Sequence, residues 1–377
     1  MAALQIKRQK AIEAQPPTLL IKQKGKIRKM KADDVEVISD MSMEMFPRSK
    51  EMTREQQMKM IRRLYLENPL NCDGNVSLVY ESPGGEVGGF LGVIKKKWIW
   101  RGRPIKVSHS NHLMIRDTER STLASVALVK TMMQDDHDFC FADSSSDTSR
   151  FIWERCGGVT AWGYSMYYRH LLQPLSFICN RLPRNYGRLL NPVSKAGDFL
   201  INHIPGSPLK FDKPSCKIEE LSVTELLQLM EEVHRNLAVR PVYSTETLVW
   251  LIESLKIEKR YGPFKAIKVI NDRGFTAGWV LYHQKENGAC EVLQLEARRG
   301  MKELVFKALC YHAFQGGGVE LDGRLDPRLL KKFGDRTTIF VPGKFWTLVY
   351  SKNPDLMADL QAGNAVLTRL EGDLWLI

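Results

Sequence analysis

Two stretches of the sequence, 191 residues apart, align with each other without a gap. The first is Ile27-Arg-Lys-Met30-Lys-Ala32-Asp-Asp34-Val35-Glu-Val-Ile38, and the second is Ile218-Glu-Glu-Leu221-Ser-Val223-Thr-Glu225-Leu226-Leu-Gln-Leu229. Each is typical of a short strand, a turn and a helix that begins at a polar residue. We expect Asp33 and Thr224 to cap the two helices, with Asp34 and Glu225 at the positive end of the helix dipole. The match predicts an internal repeat.

The order of elements that follows these stretches is repeated as well. Each copy is predicted to hold a further helix, two strands, a strand leading to a long helix, a short strand leading to another helix, and two closing strands. We assign the strand Met166–His170 to the end of the first sheet and Phe345–Tyr350 to the end of the second. The pattern predicts an α/β (α+β) fold of two tandem domains, each a mixed, mostly antiparallel sheet flanked by helices.

These elements divide the chain into four parts. They are a basic N-terminal arm (1–24), a first domain (25–170), an ordered connector (171–215) and a second domain (216–377). The connector is rich in proline and basic residues, but it also has apolar clusters at Leu175–Cys179 and Phe199–Ile204. Since a flexible linker needs no such clusters, we expect a crossover packed on both domains. A wall of the substrate cleft and a surface that meets lipid are the other interpretations.

Charge and cysteine content exclude several classes of protein. The formal net charge is +12, and residues 1–31 hold nine Lys or Arg side chains against one acid, Glu13. This excess indicates a solvated arm, and no motif for binding nucleic acid accompanies it. No apolar run of about 20 residues predicts a membrane span, and no secretory signal is found, so we expect a cytoplasmic protein. The seven cysteines are scattered without a CxxC pair, so neither a metal site nor a disulfide framework is expected.

The element order and the opening pattern resemble the GNAT superfamily of acyl-CoA-dependent N-acyltransferases, in its tandem form. The resemblance covers nearly the whole chain. It implies transfer of an acyl group from a CoA or acyl-carrier-protein thioester to a primary amine of a small molecule or peptide, including a lysine- or ornithine-type side chain. The alternative is a catalytically altered, Fem-like aminoacyl transferase or a non-catalytic peptide-binding protein. The expected partners are the thioester donor and the amine acceptor, and a homodimer is left open.

The family's phosphate motif, (Q/R)xxGx(G/A), joins a strand to a helix, and its backbone N–H groups bind the pyrophosphate of CoA. Aligning Arg120 with the first position of the motif puts Leu123 and Ser125 where glycines are expected. The second copy also departs from the motif, and Glu303 in its first helical turn opposes an anion, so we favour the first copy. The residues expected to contact the cofactor are Met114, Ile115, Arg116, Arg120, Ser121, Thr122, Ala124 and Ser125. The other interpretation is that both loops only cap helices.

The strand before this loop, Val107-Ser-His109-Ser-Asn111-His112-Leu-Met-Ile115, is polar where the family's strand is mostly apolar. Acylation of an amine needs a base and a group that stabilises the oxyanion, and histidine titrates near neutral pH. The period of two residues places His109 and Asn111 on one face and His112 on the other, so only one histidine is expected to face the cleft. A structural hydrogen-bonding role is the alternative for each.

The short strand Phe139–Asp143 precedes a run of serines. In the family, the end of this strand splays from its neighbour, and the gap admits the thioester. The resemblance implies that Ser146 holds pantetheine and that Asp143 acts as a base or anchors the acceptor. The alternative for Asp143 is a turn-forming cap of the next helix. Trp153 stands where the family has a tyrosine acid, but a thiolate with a pKa of about 8.5 leaves without one.

Aromatic residues and methionines are frequent on the strands of the first copy. Core packing explains most of them, but they would also suit a tunnel for an apolar acyl chain. The pattern therefore favours an acyl group longer than acetyl. The residues in question are Trp98, Trp100, Met114, Met132, Met133, Trp162, Tyr164, Tyr167 and Tyr168.

Overall fold

The computed structural model describes residues 25–46, 52–119, 123–207, 209–328, 338–342 and 345–372. The predicted basic arm, 1–24, falls outside these residues. None of the helices within these ranges is long and apolar enough to cross a bilayer.

The first half of the chain holds seven strands and four helices within the described ranges. They are β1 (Lys26–Lys29), α1 (Val35–Met45), α2 (Arg54–Tyr65), β2 (Leu78–Glu81), β3 (Val87–Trp100), β4 (Arg103–Ile115), α3 (Ala124–Gln134), β5 (Phe139–Ser145), α4 (Asp147–Arg155), β6 (Val159–Thr160) and β7 (Met166–Leu171). Two helices form the connector, α5 (Pro174–Cys179) and α6 (Arg184–His203).

The second half follows this order from β8 to β13, with β9 added between its first two helices. Its elements are β8 (Cys216–Glu220), α7 (Val223–His234), β9 (Val239–Pro241), α8 (Thr245–Ile257), β10 (Phe264–Asn271), β11 (Thr276–Gln284), β12 (Ala289–Ala297), α9 (Lys302–Gln315), β13 (Glu320–Arg324), β14 (Thr338–Pro342), β15 (Trp346–Tyr350) and α10 (Pro354–Gln361).

Matching hydrogen bonds precede α1 and α7 and confirm the repeat. The carboxylate of Asp34 accepts from the backbone N–H of Lys31 at 2.6 Å. The carboxylate of Glu225 accepts from the backbone N–H of Ser222 at 3.1 Å. The two pairs keep the separation of 191 residues found in the sequence.

The helix caps differ from the predicted ones. Ser222, rather than Thr224, caps α7, because its side chain and that of Glu225 form a reciprocal capping box. In the first half, a 3-10 turn over Ala32–Asp34 precedes α1, so Asp33 lies in that turn and does not cap the helix.

Two sheets have the same strand order. The first runs β1-β2-β3-β4-β5-β15-β6, with β9 pairing against the end of β3. The second runs β8-β10-β11-β12-β13-β7-β14. Only the pairs β4–β5 and β12–β13 are parallel among those with a described register. The fold is therefore the predicted α/β (α+β) arrangement of two mixed, mostly antiparallel sheets flanked by helices.

The two halves exchange one strand. Strand β7 lies between β13 and β14 of the second sheet, and β15 lies between β5 and β6 of the first. The assignment of Met166–His170 to the first sheet and of Phe345–Tyr350 to the second was therefore wrong. The alternation of apolar residues shows which face of a strand is buried, but it does not identify the neighbouring strand.

The main core lies between the sheets and joins the halves. Helices α1, α2, α7 and α8 pack there, with Tyr65, Phe90, Leu251, Trp279 and Leu370 among the buried side chains. Helix α3 covers the outer face of the first sheet and α9 that of the second. Core packing accounts for many of the conspicuous aromatic residues and methionines: Trp98, Met114, Met132, Met133, Tyr164, Tyr167 and Tyr168 are all buried.

Candidate active site

Strands β4 and β5 separate part-way along their length. They pair in parallel only over Val107–Ser110 and Phe139–Ala142. Strand β4 continues to Ile115, whereas β5 continues beside β15, with Ser145 opposite Trp346. Ser144 has a φ of +55°, which marks the change of direction in β5. The resulting gap is the splay that the resemblance implied.

A β-bulge in β4 decides which way the histidines point. Phe90 lies opposite Met114, but Gly92 lies opposite Asn111, and His112 has a φ of +47°. One extra residue of β4 is thus accommodated, which breaks the alternation of faces. Both Asn111 and His112 reach the hydroxyl of Tyr65. The prediction that His112 faces away from Asn111 was therefore wrong.

Tyr65 links the two bulge residues and determines the tautomer of His112. Its hydroxyl donates to Oδ1 of Asn111 at 2.6 Å and also contacts Nδ1 of His112. A hydroxyl has one proton, so Nδ1 of His112 donates to the Tyr65 oxygen and Nε2 carries the lone pair. Burial lowers the pKa of His112 to about 4. At neutral pH, His112 is therefore an uncharged imidazole whose Nε2 is a hydrogen-bond acceptor.

His109 has the opposite tautomer, with its proton on Nε2. It is buried and stacks on Phe141 with ring centroids 4.5 Å apart. Nζ of Lys96 lies 3.4 Å from its Nδ1. An ammonium only donates, so Nδ1 accepts and Nε2 carries the proton. Burial, followed by the charge of Lys96, lowers the pKa of His109 well below its usual range. His109 is therefore a neutral hydrogen-bond donor in this arrangement.

Asp143 forms a buried ion pair across the two halves. Its Oδ2 lies 2.5 Å from Nη1 of Arg324, and both side chains are buried. The N-cap of α4 is Ser146, so the alternative role of Asp143 as that cap was wrong. Its pairing with Arg324 also argues against the expected role as a base, since an ion-paired carboxylate accepts a proton less readily.

Three buried polar atoms near the gap have no hydrogen-bond partner among the described residues. They are Nε2 of His109, Nδ2 of Asn111 and Oγ of Ser144. Native proteins rarely leave such atoms unpaired, because each costs about 1–3 kcal/mol. His109 lies within the paired part of β4, Asn111 lies one residue beyond the last pair of β4 and β5, and Ser144 lies two residues beyond that pair on β5.

Several solved structures resemble this one at low sequence identity. A GCN5-related N-acetyltransferase from Anabaena variabilis ATCC 29413 has a TM-score of 0.59 and 9% identity, covering 88% of this chain and 74% of that one. A protein from Enterococcus faecalis V583, described as a probable N-acyltransferase, has a TM-score of 0.56 and 12% identity, covering 87% and 72%. A GCN5-related N-acetyltransferase from Kribbella flavida has a TM-score of 0.54 and 9% identity, covering 88% and 72%. No protein-family model and no curated protein matches the sequence.

The chain has the GCN5-related N-acetyltransferase (GNAT) fold. Its two sheets are the two tandem copies of that fold.

Two of the residues predicted to bind phosphate, Ala124 and Ser125, lie at the start of α3 in the first GNAT copy. Helix α3 begins at Ala124, and no side chain caps it. Ala124 is buried and Ser125 is half-buried. Arg120, Ser121 and Thr122 lie outside the described residues. Their predicted role in binding the donor stays a prediction.

The end of β4 supplies the other predicted donor contacts. Met114 is buried in the core between the sheets, and Ile115 packs against the cluster under α3. The backbone N–H of Arg116 donates to the carbonyl of Gly88 at 2.9 Å. Nε of Arg116 is buried and has no partner within the described part of the chain. A contact between Arg116 and the donor stays a prediction.

Two residues on α4 were singled out in the sequence. Ser146 caps the helix, with its Oγ accepting from the backbone N–H of Ser149 at 3.3 Å. Trp153 is buried in the core under α3 and packs there as an apolar side chain. A contact between Ser146 and pantetheine stays a prediction.

Sequence reasoning missed the C-terminal segment 365–372, which runs between the two GNAT copies. The carbonyl of Glu371 accepts from Nζ of Lys96 at 2.7 Å, and that of Leu367 accepts from Arg324 at 2.9 Å. Gly372 approaches Asp143 so closely that a Cβ atom there would collide with the carboxylate. The segment therefore contacts the partners of both His109 and Asp143. The Thr-x-x-Glu pattern at Thr368–Glu371 was the one signal of local order in the sequence.

The carboxylate of Glu371 lies inside the molecule. It accepts from the backbone N–H of Thr368 at 2.8 Å and from the hydroxyl of Tyr243 at 3.2 Å. Burial raises the pKa of Glu371 above its usual value. These bonds hold the segment against the second half while Lys96 holds it against the first.

Proposed function

We propose that the protein is an N-acyltransferase that transfers an acyl group from a CoA thioester to a primary amine at the gap between β4 and β5. The observation that carries the proposal is the group of three unpartnered polar atoms of His109, Asn111 and Ser144 beside that gap. The GNAT fold supports the class of reaction, since the three structures named above are described as acetyltransferases or as a probable acyltransferase.

His109 and Asn111 are suited to stabilise the oxyanion. When the amine nitrogen attacks the thioester carbonyl carbon, the carbonyl electron pair moves to oxygen. N–H donors already fixed in a buried site stabilise this charge without reorganising. Nε2–H of His109 and the Nδ2–H groups of Asn111 are buried donors that lack a protein partner in the described chain.

His112 is suited to receive the proton of the attacking amine. Its Nε2 carries the lone pair because Nδ1 donates to Tyr65. After attack, the carbon–sulfur bond breaks, and the proton taken by His112 passes to the departing thiolate. One acyl-CoA and one amine thus give one amide and one CoA thiol. Tyr65 is a positioning residue in this scheme, because it acts through His112 and Asn111.

The donor would lie along the first GNAT copy. We assign the pyrophosphate to the start of α3 and to the side chains predicted from the sequence to bind it, and pantetheine to Met114, Ile115 and Ser146. The predicted side chains are Arg116, Arg120, Ser121, Thr122, Ala124 and Ser125. The N-terminus of a helix favours an anion, and Arg116 offers a buried Nε without a described partner. An acyl-carrier-protein thioester would use the same pantetheine contacts but lack the nucleotide.

An acyl group longer than acetyl fits the apolar surroundings of His112. Its ring lies 5.4 Å from that of Phe46 and 6.1 Å from that of Tyr65, measured between centroids. The acceptor remains a primary amine of a small molecule or a peptide, with a lysine- or ornithine-type side chain included. The proposal places the reaction in the cytoplasm, where CoA thioesters are made.

Titration calorimetry with a series of acyl-CoA thioethers tests the donor. These analogues cannot transfer their chain, so binding is measured without turnover. Saturable binding is expected, and affinity should rise by up to about 0.8 kcal/mol for each methylene that is buried. An equal affinity across the series would remove the preference for a long chain. No binding at any length would overturn the CoA proposal.

Release of CoA thiol with a panel of amines tests the roles of the histidines. His112→Gln should lower kcat by about a hundredfold or more at neutral pH, and the loss should shrink at high pH, where more of the amine is unprotonated. His109→Gln keeps an N–H donor, so its kcat should fall less than that of His109→Ala. His203→Gln, which changes an exposed histidine, is the control. Equal small effects at both buried positions would contradict the assigned roles.

A further inference from the structure

Helix α6 has its polar side against the protein and its apolar side toward solvent. The exposed side carries Tyr186, Leu189, Val193 and Leu200, whose exposed fractions are 64%, 76%, 68% and 64%. We call these four residues the apolar face of α6. Their spacing follows the helical period, so they form one stripe about 20 Å long. Leu190 and Phe199 are exposed beside it.

The opposite side of α6 is made of small and polar residues that contact α5. Both carboxylate oxygens of Asp198 cap α5, accepting from the backbone N–H of Leu175 at 2.9 Å and of Ser176 at 2.8 Å. A Cβ atom on Gly197 would collide with Leu175, so the two helices touch closely here. A surface helix normally buries its apolar side. This one is anchored by its polar side, which leaves the apolar face without cover from the described chain.

The charge of the connector suits an anionic surface. Its sequence carries six Lys or Arg residues and two Asp residues. Asp198 is buried as the cap of α5, and Asp212 pairs with Lys210 at 3.0 Å. Neither Asp of the connector therefore lies on the apolar face. Of the basic residues, Arg181 pairs with Glu320 at 3.1 Å. Lys195 is exposed on the same helix.

We infer that α6 lies on the surface of a lipid bilayer with anionic headgroups, with its apolar face inserted between them. Helices that bind in this way combine a continuous apolar stripe with basic residues and have no need to span the membrane. Anionic lipids attract the basic residues of the connector, and burial of the apolar face holds the helix at the interface. The inference does not depend on the proposed acyl transfer.

Flotation of the full-length protein with vesicles tests the inference. One set of vesicles is phosphatidylcholine alone, and the other contains phosphatidylglycerol as well. The double variant Leu189→Glu/Val193→Glu should lower partitioning onto the mixed vesicles by about tenfold or more. The matched control is Val249→Glu/Ile257→Glu, which adds the same charge at two exposed apolar positions of α8 and should keep most of the binding. Leu200→Glu, made singly, is a second variant on the face.

Three outcomes would overturn the inference. The first is that the wild type binds neither kind of vesicle. The second is that the face variants bind as well as the α8 control, since the basic arm or another surface would then account for binding. The third is that light scattering shows a dimer of the wild type that Leu189→Glu/Val193→Glu abolishes, because a second copy of the chain would then cover the face.

Discussion

Asp143 and Arg324 occupy equivalent positions in the two sheets, and their side chains bind each other. Asp143 follows the last parallel pair of β4 and β5, Ser110–Ala142, and Arg324 follows the last pair of β12 and β13, Val292–Gly323. Their ion pair, 2.5 Å long and buried, therefore joins the points at which the strands of each half separate. Arg324 also donates to the carbonyls of Leu367 and Thr368, so it fixes the C-terminal segment as well.

We expect Arg324→Met to destabilise the protein by about 3–5 kcal/mol, because it leaves a buried carboxylate without its partner. The measurement is urea unfolding followed by circular dichroism. The control is Lys256→Met, which breaks the exposed pair with Glu253 and should change the unfolding midpoint little. An Arg324→Met protein as stable as this control would show that the pair does not join the halves.

The two histidines of β4 should have opposite tautomers. Long-range proton–nitrogen spectra of protein labelled at histidine nitrogen should show the proton of His109 on Nε2 and that of His112 on Nδ1, because Lys96 donates to the first ring and Tyr65 accepts from the second. Tyr65→Phe should remove the tautomer preference of His112 and leave that of His109 unchanged. The same tautomer at both positions in the wild type would contradict the hydrogen-bond assignment.

A methyl group on Gly92 should disrupt the bulge. A Cβ atom there would collide with Oδ1 of Asn111 and the hydroxyl of Tyr65. We expect Gly92→Ala to destabilise the protein by about 1–3 kcal/mol and to lower turnover of an acyl donor. Gly84→Ala is the control, since its nearest neighbour would be Oγ of Ser82 at 3.7 Å. Wild-type turnover in Gly92→Ala would show that the contacts of Tyr65 with Asn111 and His112 are not needed for acyl transfer.

Buried histidines should make the fold sensitive to acid. The pKa of His112 is about 4 in the folded protein, below the value of about 6.5 expected when unfolded. The unfolded state therefore binds more protons between these values, and stability falls as the pH drops from about 6.5 toward 4. For His112 alone the loss approaches about 3 kcal/mol. Chemical unfolding at several pH values measures this loss. The free energy of unfolding should fall less steeply with decreasing pH in His112→Gln than in the wild type, whereas His203→Gln should follow the wild type.

The repeat could be predicted because it is local. The pairs Lys31–Asp34 and Ser222–Glu225 each depend on residues three positions apart, and their bonds recur at the separation read from the sequence. The polar character of β4 likewise directed attention to His109 and His112. His109 lies opposite Phe141 in the last paired part of β4, and His112 lies two residues beyond the last pair.

The rest of the site depends on contacts between distant parts of the chain. The pairing of Asp143 with Arg324 and of Lys96 with Glu371 joins residues that no sequence period relates. The bulge at His112 inserts one residue into β4, and residue pattern alone does not place such an insertion. The exchange of β7 and β15 depends on which sheet edge each strand reaches. The alternation of buried and exposed residues along each strand would be the same in either sheet.

The exchanged strands also constrain how the protein is made. The first sheet acquires β15 only after the ribosome has translated as far as Tyr350, so β5 and β6 of the nascent first half have no strand between them until then. The second sheet needs β7, which is synthesised before the connector. Neither half can therefore complete its sheet as a separate polypeptide, and the first sheet is complete only after translation has passed β15.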